Sequence, residues 1–186
     1  MFKIDIHTHI LPENLNEVTD TFSDPRFLRM DIIDDKTAML KKDGTAFRQV
    51  DCNCWNHQKR IQDCHTTKVD VQVLSTIPVL FSYWAKDDEG LTLSKFLNNH
   101  IAEVVRDEPN RFIGLGTIPM QDADLAIEEM DRIVNELKFP GIEIGSNVNG
   151  ENLSDERAAS QAGEHGVAYH GLGVASRVGS QLRAKG

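Results

Sequence analysis

Short apolar strand patterns alternate with helix patterns along the first 145 residues of the chain. Strands are predicted near residues 3–7, 71–76, 112–117 and 141–145. Helix patterns lie between them, and strands joined through helices pair in parallel because the crossover returns the chain in the same direction. The sequence therefore predicts parallel βαβ units, either in a (β/α) barrel or in an open α/β sheet.

The connecting helices carry recognisable boundaries. A short polar helix is predicted over residues 56–68, and apolar residues recur at helical spacing over residues 91–105. Pro109 ends that second helix, because proline lacks the amide hydrogen that a helix interior needs. Asp122 is a side chain of the kind that caps a helix start, so a third helix is predicted to follow it.

A long segment after the first strand interrupts this alternation. Residues 12–56 show no clean period and contain one turn signal, at residues 41–44. We therefore predict a long inserted excursion with little regular structure. Excursions of this length are usually functional.

The last part of the chain differs in composition from the rest. Residues 158–186 are rich in Gly, Ala and Ser, and their net charge is positive whereas that of residues 1–157 is negative. Glycine at this density disfavours regular structure, so the regular elements predicted here are limited to a helix over residues 154–164 and a strand over residues 166–169. We predict a domain over residues 1–157 followed by an aberrant tail.

Composition limits the classes of partner. A net charge of −9 argues against nucleic-acid binding, which depends on Lys and Arg neutralising phosphates. No stretch approaches the ~20 apolar residues that span a bilayer, and no signal segment is recognisable, so no membrane partner is expected. Three cysteines, an odd number, favour reduced thiols and a cytoplasmic location.

Two histidines lie two residues apart at the end of the first predicted strand. Residues i and i+2 of a strand share a face, so His7 and His9 are predicted to present both imidazoles to one ion, with Asp5 below them. Neutral imidazole is a ligand of Zn²⁺. In a parallel barrel the carboxyl end of each strand lies on the face of the barrel that carries the active site. The alternative interpretation is two exposed histidines on an alternating strand.

A second group of possible zinc ligands lies further along the chain. The pattern C-x-C-x₂-H-x₆-C-H is formed by Cys52, Cys54, His57, Cys64 and His65. It suggests a small structural zinc module as an alternative function. The spacing fits poorly, because structural zinc sites favour C-x₂₋₄-C pairs.

Six stretches in collinear order resemble the metal-dependent decarboxylases of the amidohydrolase superfamily. They are KIDIHTHILP (3–12), KDGTAFR (42–48), NCWNHQKRI (53–61), VLSTIPVLFSYWAK (73–86), RFIGLGTIPMQ (111–121) and FPGIEIGSNVNG (139–150). The resemblance covers residues 1–157 and implies the α/β class with a (β/α)₈ TIM barrel, present here as a truncated or partial barrel. It also implies oxygen-independent decarboxylation of an aminocarboxymuconate semialdehyde in tryptophan breakdown by the kynurenine route.

The resemblance further implies a cofactor and site residues. The cofactor would be Zn²⁺, with His7 and His9 as ligands, Arg48 as the binder of a substrate carboxylate and Lys42 as a weaker candidate beside it. In the family, a third histidine ligand precedes proline and tryptophan on the fifth strand. This chain has GVAYHGLGVA instead, so His170 is the candidate replacement. The remaining aspartate ligand and the proton-transferring histidine lie on later strands in the family, and no catalytic residue is assigned here.

The implied partners are a small-molecule substrate and, in the full-length family, a second copy in a homodimer. A complete barrel typically needs about 250 residues, more than the 186 of this chain. An alternative function is therefore a truncated, catalytically inactive form that associates with the full-length enzyme.

Overall fold

The computed structural model describes residues 1–153 and, beyond them, only the backbone of two strands. In chain order the elements are β1 (Ile4–His9), α1 (Asn16–Thr19), β2 (Arg29–Ile32), β3 (Thr37–Lys42), β4 (Thr45–Asp51), α2 (His57–Thr67), β5 (Val71–Ser75), α3 (Asp87–Asp107), β6 (Phe112–Gly114), α4 (Ala123–Asn135), β7 (Ile142–Glu143), β8 (Asn147–Val148), β9 (Glu151–Asn152), β10 (Val167–His170) and β11 (Val174–Arg177). Within this described part, no helix combines the length and the apolar character that a membrane span requires.

A parallel sheet forms the framework of the chain. Its strand order is β1-β5-β6, and both pairings are parallel. A parallel bridge between Gly116 and Ile142 places β7 beside the extension of β6. Helices α2, α3 and α4 each connect one strand to the next. The strands predicted from the alternation are confirmed, and their arrangement is that of a partial (β/α) barrel.

The helix boundaries follow the predicted signals. At the start of α2 the Asn56 side chain accepts hydrogen bonds from two backbone amides, and Asp122 accepts one from Leu125 at the start of α4. These caps satisfy amides that have no partner within the helix. Helix α3 ends at Asp107, two residues before Pro109, as predicted.

The prediction that residues 12–56 have little regular structure is wrong. This segment contains a three-stranded antiparallel sheet in the order β2-β3-β4. Ala38 and Leu40 are buried in alternation along β3, and Asp43 and Gly44 make the tight turn with φ of 53° and 70°. The sheet is hard to recognise in the sequence because β4 exposes almost all of its side chains and so carries no hydrophobic period.

Two apolar clusters join these layers. One packs Leu40 and its neighbours in the excursion against Leu93 and Leu97 of α3. The other packs Leu74 of the parallel sheet against Ile101 of α3 and against α4. Because α3 contributes to both clusters, it holds the excursion and the parallel sheet together.

Beyond residue 153, the two described strands pair antiparallel. Strand β10 pairs with β11, and β11 pairs with β7. The strand predicted at residues 166–169 corresponds to β10, whereas the helix predicted at residues 154–164 lies outside the described residues. The neighbour of β7 is thus an antiparallel strand, where a complete barrel has a parallel one. The domain boundary at residue 157 stays a prediction.

Candidate metal centre

The two histidines at the end of β1 lie side by side. Their ring centroids are 4.8 Å apart, and the rings are nearly perpendicular. Asp5 pairs with Gln72 and Thr8 with Leu74, so three steps along β1 match two along β5. This extra residue is a β-bulge, which redirects the side chains around it.

The bulge turns the Asp5 side chain away from the two imidazoles. The Asp5 carboxylate accepts a hydrogen bond from Gln72 Nε2 at 3.5 Å, and Gln72 Oε1 accepts one from Arg60 of α2 at 3.4 Å. Asp5 therefore lies on the helix side of the sheet. The prediction that it lies below the two histidines is wrong, because it assumed an uninterrupted two-residue period.

A third group approaches the histidines from β7. Glu143 Oε1 lies 4.0 Å from His7 Nε2, and Glu143 Oε2 lies 3.9 Å from His9 Nδ1. Both distances are too long for hydrogen bonds. The Glu143 side chain is only 8% exposed, and its Oε2 has no hydrogen-bond partner. In the described part of the chain, this is the one group of three or more His, Cys, Asp or Glu side chains placed to share a metal ion.

Backbone hydrogen bonds between β7 and the extension of β6 set the position of Glu143. Its amide donates to the Gly116 carbonyl at 2.8 Å, and the Gly116 amide donates to the Gly141 carbonyl at 3.1 Å. A Cβ at position 116 would lie 2.5 Å from Ile133 Cδ1 of α4, so the close approach of helix and strand requires glycine there. Sequence analysis did not select Glu143, although a single acid within the apolar stretch GIEIG was a signal.

The surroundings of His9 favour its neutral form. Its Nδ1 lies 3.1 Å from Ser75 Oγ, and Arg60 Nη2 donates to its carbonyl oxygen at 2.5 Å. Burial lowers the pKa of His9, and the charge of His7 acts in the same direction, while the Glu143 carboxylate acts against both. An uncharged imidazole keeps the lone pair that binds a metal.

Buried polar atoms without partners gather at the carboxyl ends of the parallel strands. Thr76 follows β5, Thr117 follows β6 and Glu143 ends β7, and each has a buried side-chain oxygen without a hydrogen bond. Such atoms are rare in folded proteins, because burial without a partner costs free energy. This end of the sheet therefore presents polar atoms whose hydrogen-bonding capacity is not used by the protein itself.

The other predicted site residues lie on other elements. Arg48 is exposed on β4, and Lys42 ends β3 next to the turn. The backbone of His170 lies opposite Val174, which in turn lies opposite Glu143. The side chain of His170 is outside the described residues. The roles assigned to these three residues stay predictions.

The alternative zinc module is not assembled. Cys64 is buried within α2, and His65 Nε2 lies 3.0 Å from Arg111 Nη1. Of the residues that the structure describes, only the group of His7, His9 and Glu143 has three ligand atoms close together. The structural-module interpretation is wrong, because the proposed ligands point to different neighbours.

The family profile described as amidohydrolase matches residues 4–179, almost the whole chain. The chain belongs to the amidohydrolase family. The residues matched by the amidohydrolase profile include all the strands of the parallel sheet β1-β5-β6, so the sequence match and the observed fold point to the same family.

The curated relatives that the chain resembles are decarboxylases by name. The chain is 48% identical over 153 residues to 2-amino-3-carboxymuconate-6-semialdehyde decarboxylase from Dictyostelium discoideum, covering 82% of this chain and 43% of the relative. It is 41% identical over 126 residues to the Caenorhabditis elegans protein of the same name, covering 68% and 31%. The chain thus spans less than half the length of these relatives.

Solved structures share the fold at low identity. A 5-carboxyvanillate decarboxylase from Sphingomonas paucimobilis superposes with a TM-score of 0.62 at 19% identity, covering 84% of this chain and 46% of that one. The corresponding Novosphingobium aromaticivorans enzyme, complexed with manganese, superposes with a TM-score of 0.63 at 20% identity, covering 88% and 47%. These likenesses confirm that the fold is part of an amidohydrolase barrel.

Proposed function

We propose that this chain supplies the metal-binding part of a zinc-dependent decarboxylase that converts 2-amino-3-carboxymuconate 6-semialdehyde to 2-aminomuconate 6-semialdehyde. The observation that carries the proposal is the pair of adjacent imidazoles at the carboxyl end of β1. The 48% identity to a relative named for this substrate supports the choice of substrate. The reaction breaks one carbon–carbon bond, releases carbon dioxide and places a proton on the carbon left behind.

The residues present fit a divalent ion. Two imidazoles face a buried carboxylate whose Oε2 has no partner, and this orphaned anion is what a cation would satisfy. His7 and His9 would hold the ion, with His170 as the candidate further ligand. When bound, the ion supplies Lewis acidity to the substrate without an organic cofactor.

The chain's own residues would bind and orient the substrate. In the proposal Arg48 holds a substrate carboxylate through two parallel N–H donors, which fixes the plane of that group. Lys42 is the second candidate for this contact. Arg48 has enough freedom for the role, since its side chain is exposed on β4.

We further propose a cellular location, a class of partner and an assembly for the enzyme. We place it in the cytoplasm, acting on a small molecule, with a homodimer as the assembly of the full-length family. The three cysteines of this chain are free thiols, which agrees with a reducing compartment.

A chimera tests the proposed activity without depending on the tail. Residues 1–153 of this chain would replace the matching part of the Dictyostelium discoideum relative. The chimera is expected to consume the semialdehyde, followed by its absorbance, and to lose that activity in His7→Ala and His9→Ala. A folded chimera that binds Zn²⁺ and leaves the substrate unchanged would contradict the proposal.

A second candidate function is an inactive chain that associates with the full-length enzyme. It is favoured by Ile4 and Ile6, which are 49% and 75% exposed on the edge strand β1. Co-elution of the chain with the complete enzyme in size-exclusion chromatography would support association. Independent elution at micromolar concentrations would contradict it.

A further inference from the structure

We infer that Glu143 is a direct metal ligand that completes, with His7 and His9, a two-histidine, one-carboxylate site within this chain. The inference rests on the proposed function, because it concerns the metal that the proposal requires. Glu143 on β7 is thus a ligand additional to the two histidines of β1. The site then has three protein ligands, the number found in catalytic zinc centres, and keeps open positions for substrate.

The distances require only small movements. Bonds of 2.0–2.1 Å to a tetrahedral ion place neighbouring ligand atoms roughly 3.3 Å apart. The Glu143 oxygens lie 4.0 Å from His7 Nε2 and 3.9 Å from His9 Nδ1. The three ligand atoms all lie within 4.8 Å of one another, so side-chain movements of roughly 1–2 Å would bring them to ligand distance without a change in the backbone.

The environment of Glu143 differs from that of a structural carboxylate. Glu129 is fully buried, but its oxygens accept hydrogen bonds from Asn98 and Arg132 at 2.7 and 2.8 Å. Glu143 is buried to a similar extent, and its Oε2 has no such donor. A buried anion that faces two imidazole lone pairs is unfavourable until a cation sits between them. Glu143 thus has a metal-binding environment and Glu129 does not.

The donor set indicates the class of ion. Two neutral imidazoles suit Zn²⁺ and Fe²⁺, and the carboxylate adds a hard oxygen that Mn²⁺ also accepts. The carboxylate further supplies a negative charge, which two imidazoles alone lack. We therefore expect these three side chains to bind Zn²⁺, Fe²⁺ or Mn²⁺.

The test compares metal affinity and thermal stability in the full 186-residue chain. Titration with Zn²⁺ and Mn²⁺ against a chelating dye is expected to show at least about tenfold weaker binding in Glu143→Gln. Without metal, the same variant is expected to melt at a temperature equal to or above that of the unchanged chain, because an unpaired buried charge is gone. The rise in melting temperature on adding metal is expected to shrink.

A matched control and a second variant separate the outcomes. Glu129→Gln should lower the melting temperature without metal and leave metal affinity unchanged. Glu143→Asp keeps the negative charge but has a side chain shorter by one methylene. Its metal affinity should lie between the affinity of Glu143→Gln and that of the unchanged chain. This variant replaces Glu143→Gln in the test if Glu143→Gln does not fold. Unchanged affinity in both Glu143 variants, with binding lost in His9→Ala, would overturn the inference and leave the proposed function standing. Unchanged affinity in His7→Ala and His9→Ala as well would refute the metal site itself.

Discussion

His100 is a largely buried imidazole on α3 whose two ring nitrogens have different surroundings. Its hydrogen bond to the Leu11 backbone occupies one nitrogen, and the other, Nε2, is buried without a partner. Burial lowers the pKa of His100 to about 4, and the nearby His57 acts in the same direction. The folded chain therefore keeps His100 neutral at pH values where the unfolded chain protonates it.

This difference predicts a pH-dependent loss of stability. The folded pKa of about 4 lies below the ordinary 6.5, so the unfolded state binds more protons between these values and stability falls as the pH drops from 6.5 to 4. The loss amounts to about 3 kcal/mol. Urea unfolding at pH 7 and pH 5 should show a smaller decrease in His100→Gln than in the unchanged chain. Equal decreases in both would contradict the prediction.

At the scale of elements, the contact between α4 and β6 decides whether β7 reaches the site. Ile133 is fully buried, and it packs directly over Gly116. Gly116 in turn exchanges backbone hydrogen bonds with Gly141 and Glu143. Helix packing and site geometry are thus coupled through one residue without a side chain.

Gly116→Ala is expected to destabilise the chain. The added Cβ would lie 2.5 Å from Ile133 Cδ1, and overpacking of a core typically costs about 1–3 kcal/mol. Chemical unfolding measures the loss. Adding Ile133→Val removes the closest methyl group and should restore part of the stability. Equal stability of Gly116→Ala and the unchanged chain would show that the space over Gly116 accommodates a methyl group.

At the scale of the whole molecule, the parallel sheet has an open side. Strand β1 ends the order β1-β5-β6 in the described part of the chain, and Ile4 and Ile6 are exposed on it. Exposed edges with apolar side chains favour association between chains.

Ile6→Lys is therefore expected to reduce self-association. Ile6 is 75% exposed on β1, so a charge there should not disturb the core. Light scattering across a concentration series would measure the change in mass. Ile33→Lys, at a site 56% exposed away from the parallel sheet, is the control and should have a smaller effect. Equal effects of the two substitutions would show that the open edge is not the cause.

We expect the isolated chain to bind Zn²⁺ without measurable decarboxylation. The family resemblance implies that the proton-transferring histidine lies on later barrel strands, and such a group typically contributes about 10²- to 10⁴-fold in rate. The assay follows substrate absorbance with Zn²⁺ supplied, beside His170→Ala. Robust turnover that disappears in His170→Ala would contradict this prediction and show that the tail completes the site.

Local signals in the sequence were enough to predict much of the framework. The strand and helix alternation, the Asp122 cap and the adjacent His7 and His9 depend on residues close together in the chain. Periodicity, capping and ligand type act over a few residues. These features, and the resemblance that led to the amidohydrolase family, were therefore accessible without coordinates.

Only the tertiary structure decided which other groups reach the histidines. A bulge in β1, which depends on pairing with β5, turns Asp5 to the helix side. The parallel pairing of β7 beside Gly116 brings in Glu143. Strand register and helix packing arise between segments far apart in the chain, and a shift of one residue reverses the face of a side chain. The sequence by itself determined the two imidazoles, and the packing of the sheet determined the carboxylate that faces them.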